Sequence, residues 1–434
     1  MTCDIVSALD AMIVTLSDAF QARSARNFAM LVRGLLLCLG RPTVTNMARA
    51  AGEPRPERPS RLHRFFSRAV WSPEHLARLL VVRILVPLFA AKGTLVLAGD
   101  DTTHGKCGRR VAFAGLFRDA VRSTAVKHVL HWSHNWVLVC LIVPCPGTPD
   151  RRLHLPVLAR LYRREAHCTP DAPFRTRQQM MVEMVGLIST WLAGRSIVLV
   201  VDGAYAGDDL LKDLPESVTL ISRMRRDAAL YELPPVPARS GRSGRPRVRG
   251  AKLAKLPVIA ETAHFTEVEA LMYGDRRTVL VATFEAVWYP TSKRILRLVI
   301  SRDPHGKRPD DFFFTTGRGL KACRVVELYA ERWGVEELIR EVKQSLGGDE
   351  VQSWSQRAVL RQVPFVLTAH ALVQAAFYAN RGTTTAASAP PSFARLLTRV
   401  RMQIWTERLS DAFAHSTSPE KVLELLENTL LTAA

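Results

Sequence analysis

Apolar and polar positions along the chain follow three patterns. From residue 1 to about 90 they alternate at helical spacing. NFAMLVRGLLLCLG, a break at Arg41-Pro42, and TVTNMARAAG predict a helix, a tight turn and a second helix capped by Thr43 or Thr45. This pair fits a helix-turn-helix or a plain helical hairpin, with Arg49 the one obvious outward cation. Short continuous apolar runs come next, TLVLAG before Asp100 and Asp101 and IVLVV before Asp202, and read as buried strands. After Asp202, SVTLISRM, FTEVEALMYG, RRTVLVATFEAVWY and RILRLVISRD predict more strands, with turns at Gly274-Asp275 and Pro290-Thr291. The third pattern is helical again: LYAERWGVEELIREVKQSLGG as one helix stopped at Gly347-Gly348, then the apolar VLRQVPFVLTAHALVQAAFYAN. RGTTTAASAPPS reads as a linker before two amphipathic helices, ARLLTRVRMQIWTERLSDAF and EKVLELLENTL.

The candidate chemistry lies where these patterns meet. Each aspartate ends an apolar run, so it stands where a strand leaves the sheet at its carboxyl end, the place where ligands of open α/β sheets collect. At about 100° per residue, Tyr329, Arg332, Glu336 and Lys343 fall within roughly 60° of one another on a helix surface. A solvated helix with an Arg332–Glu336 pair at i, i+4 explains that face alone. Joined to two strand-end aspartates, Glu336 completes a set of hard oxygen ligands for Mg²⁺ or Mn²⁺, of the kind that supports phosphodiester cleavage.

Composition points to the partner. The 434 residues carry 60 Lys+Arg against 40 Asp+Glu, a net charge of +20 and a pI near 10.2, which calls for a polyanion, nucleic acid first. No apolar run reaches the roughly 18 to 20 residues of a membrane span, and a cytoplasmic protein is expected. Arg55, Arg58, Arg61, Arg64 and Arg68 recur near helical spacing between Phe65, Phe66 and Trp71, a strip able to grip phosphates while its aromatics pack inward. Arg239 to Lys255 is a basic tract in which Arg245, Arg247 and Arg249 stand among glycines, serines and prolines. His104 is either a DNA contact or a bystander; Trp288 is a core residue or a stacking platform for a base. Seven scattered cysteines read as reduced thiols, and no zinc pattern is present.

Tyr329, Arg332, Glu336 and Lys343 match, step for step, a tyrosine, two residues, an arginine, three residues, a glutamate, six residues and a lysine. With DDTTHGKCG, VVDGAYAG, RSGRSGRPRVRG and RLHRFFSRAVW, the chain resembles the DDE transposases of bacterial insertion sequences, in the branch typified by insertion sequences 4 and 701. The resemblance implies an α/β ribonuclease H-like core with a β-rich insertion, two Mg²⁺ ions, and cutting and joining of double-stranded DNA at transposon ends by a homodimer. It implies Asp100 or Asp101, Asp202 and Glu336 as catalytic metal ligands, and Tyr329, Arg332 and Lys343 as phosphate contacts. Both registers of the first aspartate fit; the D-T-T after Asp101 favours Asp101. The expected organisation is a helical DNA-binding domain at 1–90, core at 91–215, insertion at 216–318 with a basic loop at 239–255, core again at 319–380, and linker plus helices at 381–434. A nuclease that cuts without joining and a silent DNA-binding descendant are the alternatives.

Overall fold

The computed structural model describes residues 4–53, 55–119, 122–124, 126–235, 247–289, 294–350, 353–380, 390–414, 427 and 432. Arg239, Arg242, Arg245, the Pro290-Thr291 turn, most of the 381–392 linker and nearly all of EKVLELLENTL lie outside the described residues. Six helices come first: α1 (Ile5–Thr15), α2 (Ala22–Leu37), α3 (Val44–Ala50), α4 (Ser60–Ser67), α5 (Pro73–Leu80) and α6 (Val86–Phe89). Strands β1 (Leu95–Gly105), β2 (Gly115–Arg118), β3 (Leu130–Cys145) and β4 (Thr148–Tyr162) lead to α7 (Arg177–Trp191), β5 (Ile197–Val201), α8 (Asp208–Asp213), β6 (Val218–Arg223) and β7 (Leu230–Tyr231). After α9 (Leu256–Thr262) come β8 (Thr266–Met272), β9 (Asp275–Trp288), β10 (Ile295–Arg302) and β11 (Asp311–Thr315). Helices α10 (Ala322–Glu331), α11 (Gly334–Leu346), α12 (Gln356–Asn380) and α13 (Phe393–Ala414) complete the chain.

The result is a mixed α/β protein with one 11-stranded sheet in the order β2-β3-β1-β5-β6-β11-β10-β9-β7, with β4 beside β3 and β8 beside β9. Its antiparallel part, β4-β3-β1, meets the parallel part, β1-β5-β6, at β1. The strands expected of a β-rich insertion extend this same sheet, because β11 pairs antiparallel with β6 and carries β10 and β9 outward from it. Backbone groups on the far side of β6 are satisfied in this way, so no bare edge is left between core and insertion.

The amino-terminal helices share a core with the sheet. One continuous set of buried side chains runs from Val6 and Phe28 through Phe65, Leu97, Val139 and Val185 to Phe365 and Ile404. Buried α12 is the centre of this packing, and its Arg361 donates to the carbonyls of Phe66 (3.0 Å) and Trp71 (2.6 Å), closing the end of α4. Phe65 stacks on Trp71 at 5.0 Å, so the aromatics of the arginine strip do pack inward. Arg401 and Arg408 of α13 cap α2 and α3 through the carbonyls of Cys38 and Ala50. Thr43 caps α3 by accepting from the Asn46 amide. A second buried set, Val198, Val200, Ile221, Val299 and Phe313, lies under α10 on the other face of the sheet. No described helix is long and apolar enough to cross a membrane.

Candidate active site

Parallel pairing of β1 with β5 ends at Gly99 opposite Val201. The next residues are Asp100 and Asp202, which brings the ends of both apolar runs side by side. β1 itself does not stop there: through Asp-Asp-Thr-Thr-His-Gly it stays paired with β3 as far as Gly105. Asp100 and Asp101 are therefore consecutive residues of a pleated strand, and their side chains face opposite ways. The carboxylate of Asp101 turns toward α7 and is fully engaged. It accepts from Asn135 Nδ2 (2.7 Å), Tyr205 Oη (3.0 Å) and Arg177 Nη1 (3.1 Å). Asp100 turns the other way, accepts from the Asp101 amide at 2.8 Å, and meets Arg332. The D-T-T pattern that favoured Asp101 carries no information about this alternation.

The helix expected over 329–343 is two helices. The chain turns at Arg332 and Trp333, with Arg332 ending α10 and Trp333 opening α11. Two burial demands explain the break: Val325, Val326 and Leu328 belong to the core under α10, whereas Val335, Leu338, Val342 and Leu346 belong to the other core. One straight helix cannot face both. β4 holds the joint in place. His154 Nε2 donates to the Glu331 carbonyl at 2.8 Å, and Arg152 pairs with the Glu331 carboxylate at 2.9 Å. A methyl group at Gly334 would stand 1.9 Å from the His154 ring, so only glycine lets the joint approach the strand this closely.

The break still gathers the predicted face, though from two helices. Arg332, 8% exposed, donates through Nη1 to Asp100 Oδ2 and through Nη2 to Glu336 Oε1, both at 3.2 Å. Tyr329 donates from its hydroxyl to Asp202 Oδ1 at 3.3 Å, and the same oxygen accepts from the Gly203 amide at 2.7 Å. Glu336 lies in the first turn of α11, where the helix dipole favours an anion. Lys343 is turned to the backbone: its Nζ donates to the Thr103 carbonyl at 2.9 Å and ties α11 to β1. Burial pushes the Asp100 carboxyl up to about 6, against the pull of the Asp101 amide and Arg332. Burial also opposes the charge on Arg332, but Asp100, Tyr329, Asp202 and Glu336 outweigh it and the net shift is upward. Tyr329 is pushed up to about 12, by burial first and then by Asp202.

Carboxylate oxygens from three elements are the donor set that Mg²⁺ takes, and the residues present fit such an ion in chemistry. In the arrangement seen, the guanidinium of Arg332 lies between Asp100 and Glu336. Consistent with that, no group of three or more His, Cys, Asp and Glu among the described residues stands close enough to hold a metal.

The other expected contacts divide. Arg64 is exposed and bonded only within α4, and Arg68 is exposed at its end. Arg61 is half-buried, pairs with Glu53 and donates to Asn27 at 2.7 Å, so it ties α4 to α2. Of the basic tract, Arg247 is exposed, while Arg249 lies over the rings of Tyr289 (3.6 Å) and Tyr231 (4.3 Å). Its stacking and partial burial turn it into a packing residue that pins the end of the tract to β7 and the end of β9. His104 is buried, and Trp288, 8% exposed, packs edge-on against Phe314. The six described cysteines are free. Asn135, Arg177, Tyr205 and His154 escaped sequence reasoning. Tyr205, three residues after Asp202 in VDGAYAG, carried the only readable signal.

A cryo-EM structure of a piggyBac transposase synaptic complex with hairpin DNA is similar at a TM-score of 0.38 and 12% identity, covering 79% of this chain and 58% of that one. The chain thus spans less than two thirds of that transposase's length. No curated protein matches the chain. The family model described as DDE superfamily endonuclease matches residues 15–283, a stretch that contains Asp100, Asp101 and Asp202 and ends before Tyr329. Matched by that model over more than half its length, the chain belongs to the DDE superfamily of endonucleases.

Proposed function

We propose that the protein is a DNA transposase of the branch typified by insertion sequences 4 and 701, which cuts at the ends of its element and joins the freed 3′-hydroxyl to target DNA. The observation that carries this reading is that Arg332 bonds Asp100 and Glu336 while Tyr329 bonds Asp202, with Tyr329, Arg332 and Glu336 spaced along the chain as in that branch. The mixed β4-β3-β1-β5-β6 sheet supports a ribonuclease H-like core, with the acidic residues where its two halves meet.

Asp100, Asp202 and Glu336 would hold the divalent cations, Mg²⁺ or Mn²⁺, which when bound supply activation of the attacking oxygen and neutralisation of the leaving one. The chain's own residues do the rest. Asp202 is fixed by its turn and by the Tyr329 hydroxyl, and Glu336 by the first turn of α11. Arg332 has the planar fork that matches a phosphate, and Tyr329 adds a hydroxyl beside it. Lys343 keeps a point charge next to β1. Arg64, Arg68 and Arg247 offer exposed charge to the duplex backbone, a sequence-independent grip released by salt. A dimer would present two such sites to the paired ends.

The test uses linear DNA carrying the segments that flank the coding region, incubated with full-length protein, Mg²⁺ and a plasmid target. Expected are ends with free 3′-hydroxyls and joined products, both lost in Asp202→Ala and Glu336→Ala while gel-shift retention of DNA persists. Cleavage without joining would make the protein a nuclease. Near-normal cleavage by either variant would overturn the carboxylate assignment.

A further inference from the structure

Among the described residues Arg332 is the one cation paired with Asp100 and Glu336, and its position is the informative point. Its two Nη groups reach Asp100 on one flank and Glu336 on the other, at 3.2 Å each. The guanidinium thus places positive charge between the two carboxylates, where a bound divalent cation would otherwise have to supply it. Its side chain is 10% exposed, so water screens the pairing little. Yet its fit is incomplete, for Nε is buried without a partner among the described residues. A guanidinium placed only to brace the fold would satisfy that donor.

Resting on the proposed metal-binding carboxylates, we infer that Arg332 is an internal stand-in for the divalent ions: it neutralises Asp100 and Glu336 in the ion-free protein and must leave them for the ions to load. The acid cluster needs a counter-charge to exist in a half-buried pocket, since uncompensated carboxylates there repel each other and lose hydration. One arginine meets part of that need without a metal. The same contacts compete with metal, because each carboxylate oxygen given to a guanidinium N–H is withheld from an ion. When Arg332 leaves, its charge is free for another anion, and a DNA phosphate is the anion this surface is built to meet. By linkage, whatever draws Arg332 away tightens ion binding, and ions in turn free Arg332 for phosphate. The free protein then holds divalent ions weakly, with Arg332 as the barrier.

Binding of Mn²⁺ as the chloride, followed by loss of the free-ion electron paramagnetic resonance signal, tests this without any cleavage assay. Arg332→Ala is expected to bind Mn²⁺ at least tenfold more tightly than the wild type. Arg332→Lys, which keeps a charge but loses the fork, should fall between them. Arg332→Gln serves as an uncharged variant of similar length should the alanine variant fold poorly. Thermal melts give a second readout: Mn²⁺ should raise the melting temperature of Arg332→Gln by more than that of the wild type. Equal or weaker Mn²⁺ binding by both uncharged variants overturns the inference, while weakening by Asp202→Asn leaves the site reading standing. Tight binding that ignores Asp202→Asn and Glu336→Gln means the ions sit elsewhere, and the site reading falls with it.

Discussion

Asp100 and Asp101 are neighbours of the same chemical type, and the structure predicts opposite consequences for their loss. The Asp101 carboxylate takes three donors, from β3, α7 and the turn after Asp202, with 22% of its side chain exposed. Asparagine at that position keeps the shape but offers one acceptor oxygen, so at least one donor is left facing an amide N–H. Tyr205, 2% exposed, has no water to replace the lost bond, and a stranded buried hydroxyl costs about 1–3 kcal/mol. Arg177, half exposed, rehydrates and adds less than about 1 kcal/mol. For 434 residues the unfolding entropy, about 2 cal/mol/K per residue, converts each kcal/mol to about 1 °C. Asp101→Asn should therefore melt about 1–4 °C lower and keep measurable cleavage, since Asp101 acts by positioning Tyr205 and the Asp202 turn.

Asp100→Asn should do the reverse. Burial has moved this carboxyl from 3.8 to about 6, so its ionisation at neutral pH opposes folding by an amount on the order of 2–3 kcal/mol. Removing the charge should leave the melting temperature unchanged or higher. Cleavage should fall at least about a thousandfold, equivalent to about 4 kcal/mol of transition-state stabilisation. Single-turnover cleavage in Mg²⁺ beside thermal melts of both variants decides between the two aspartates. A stable, inactive Asp101→Asn together with an active Asp100→Asn would refute the reasoning from strand alternation.

Two further outcomes follow from the packing. Gly334→Ala forces its new methyl into the His154 ring and breaks the bond to the Glu331 carbonyl, a cost of about 2–4 kcal/mol from overpacking and the lost hydrogen bond; in a His154→Ala background the cost should shrink below about 1 kcal/mol, and equal costs in both backgrounds would show that the joint is not held there. Glu407 on α13 is pushed up to about 7 by burial, by its bond to Asp4 and by the charge of Asp4 and Asp10, against Arg33, so its stabilising proton is fully held below about 4.5 and lost as pH rises through about 7; melts from about pH 5 to 8 should show stability falling in the wild type and a flatter profile in Glu407→Gln, and parallel profiles would exclude the pairing.

The fold was legible wherever burial leaves an unbroken or periodic signature. IVLVV is a fully buried parallel strand, and it reads as one because both of its faces are covered. β1 was half legible. Its apolar first half gave it away, but its second half, Asp-Asp-Thr-Thr-His-Gly, is polar and remains a strand because β3 supplies a partner along its whole length. The strands after Asp202 were visible, and their membership of the central sheet was not, since alternation tells a strand which side to bury and says nothing about which edge it joins. The amino-terminal helices were visible for the same reason, and their shared core with α12 and α13 was hidden for the same reason.

The candidate site was readable as a spacing and illegible as a geometry. Spacing put Tyr329, Arg332, Glu336 and Lys343 on one straight helix, whereas the structure divides them between two and turns Lys343 to the Thr103 carbonyl; no proline at Arg332-Trp333 announces the break. The break alters what the arginine can do. At the end of α10 its side chain reaches across to β1 as well as forward to α11, a span that an i, i+4 pair on one exposed helix face does not have. An exposed pair of that kind contributes a few tenths of a kcal/mol and is indifferent to the rest of the molecule. A buried arginine shared between a strand aspartate and a helix glutamate couples the two elements that must be in register for chemistry. Burying Asp100 near Glu336 carries a desolvation cost, and the guanidinium of Arg332 between the two carboxylates offsets part of it.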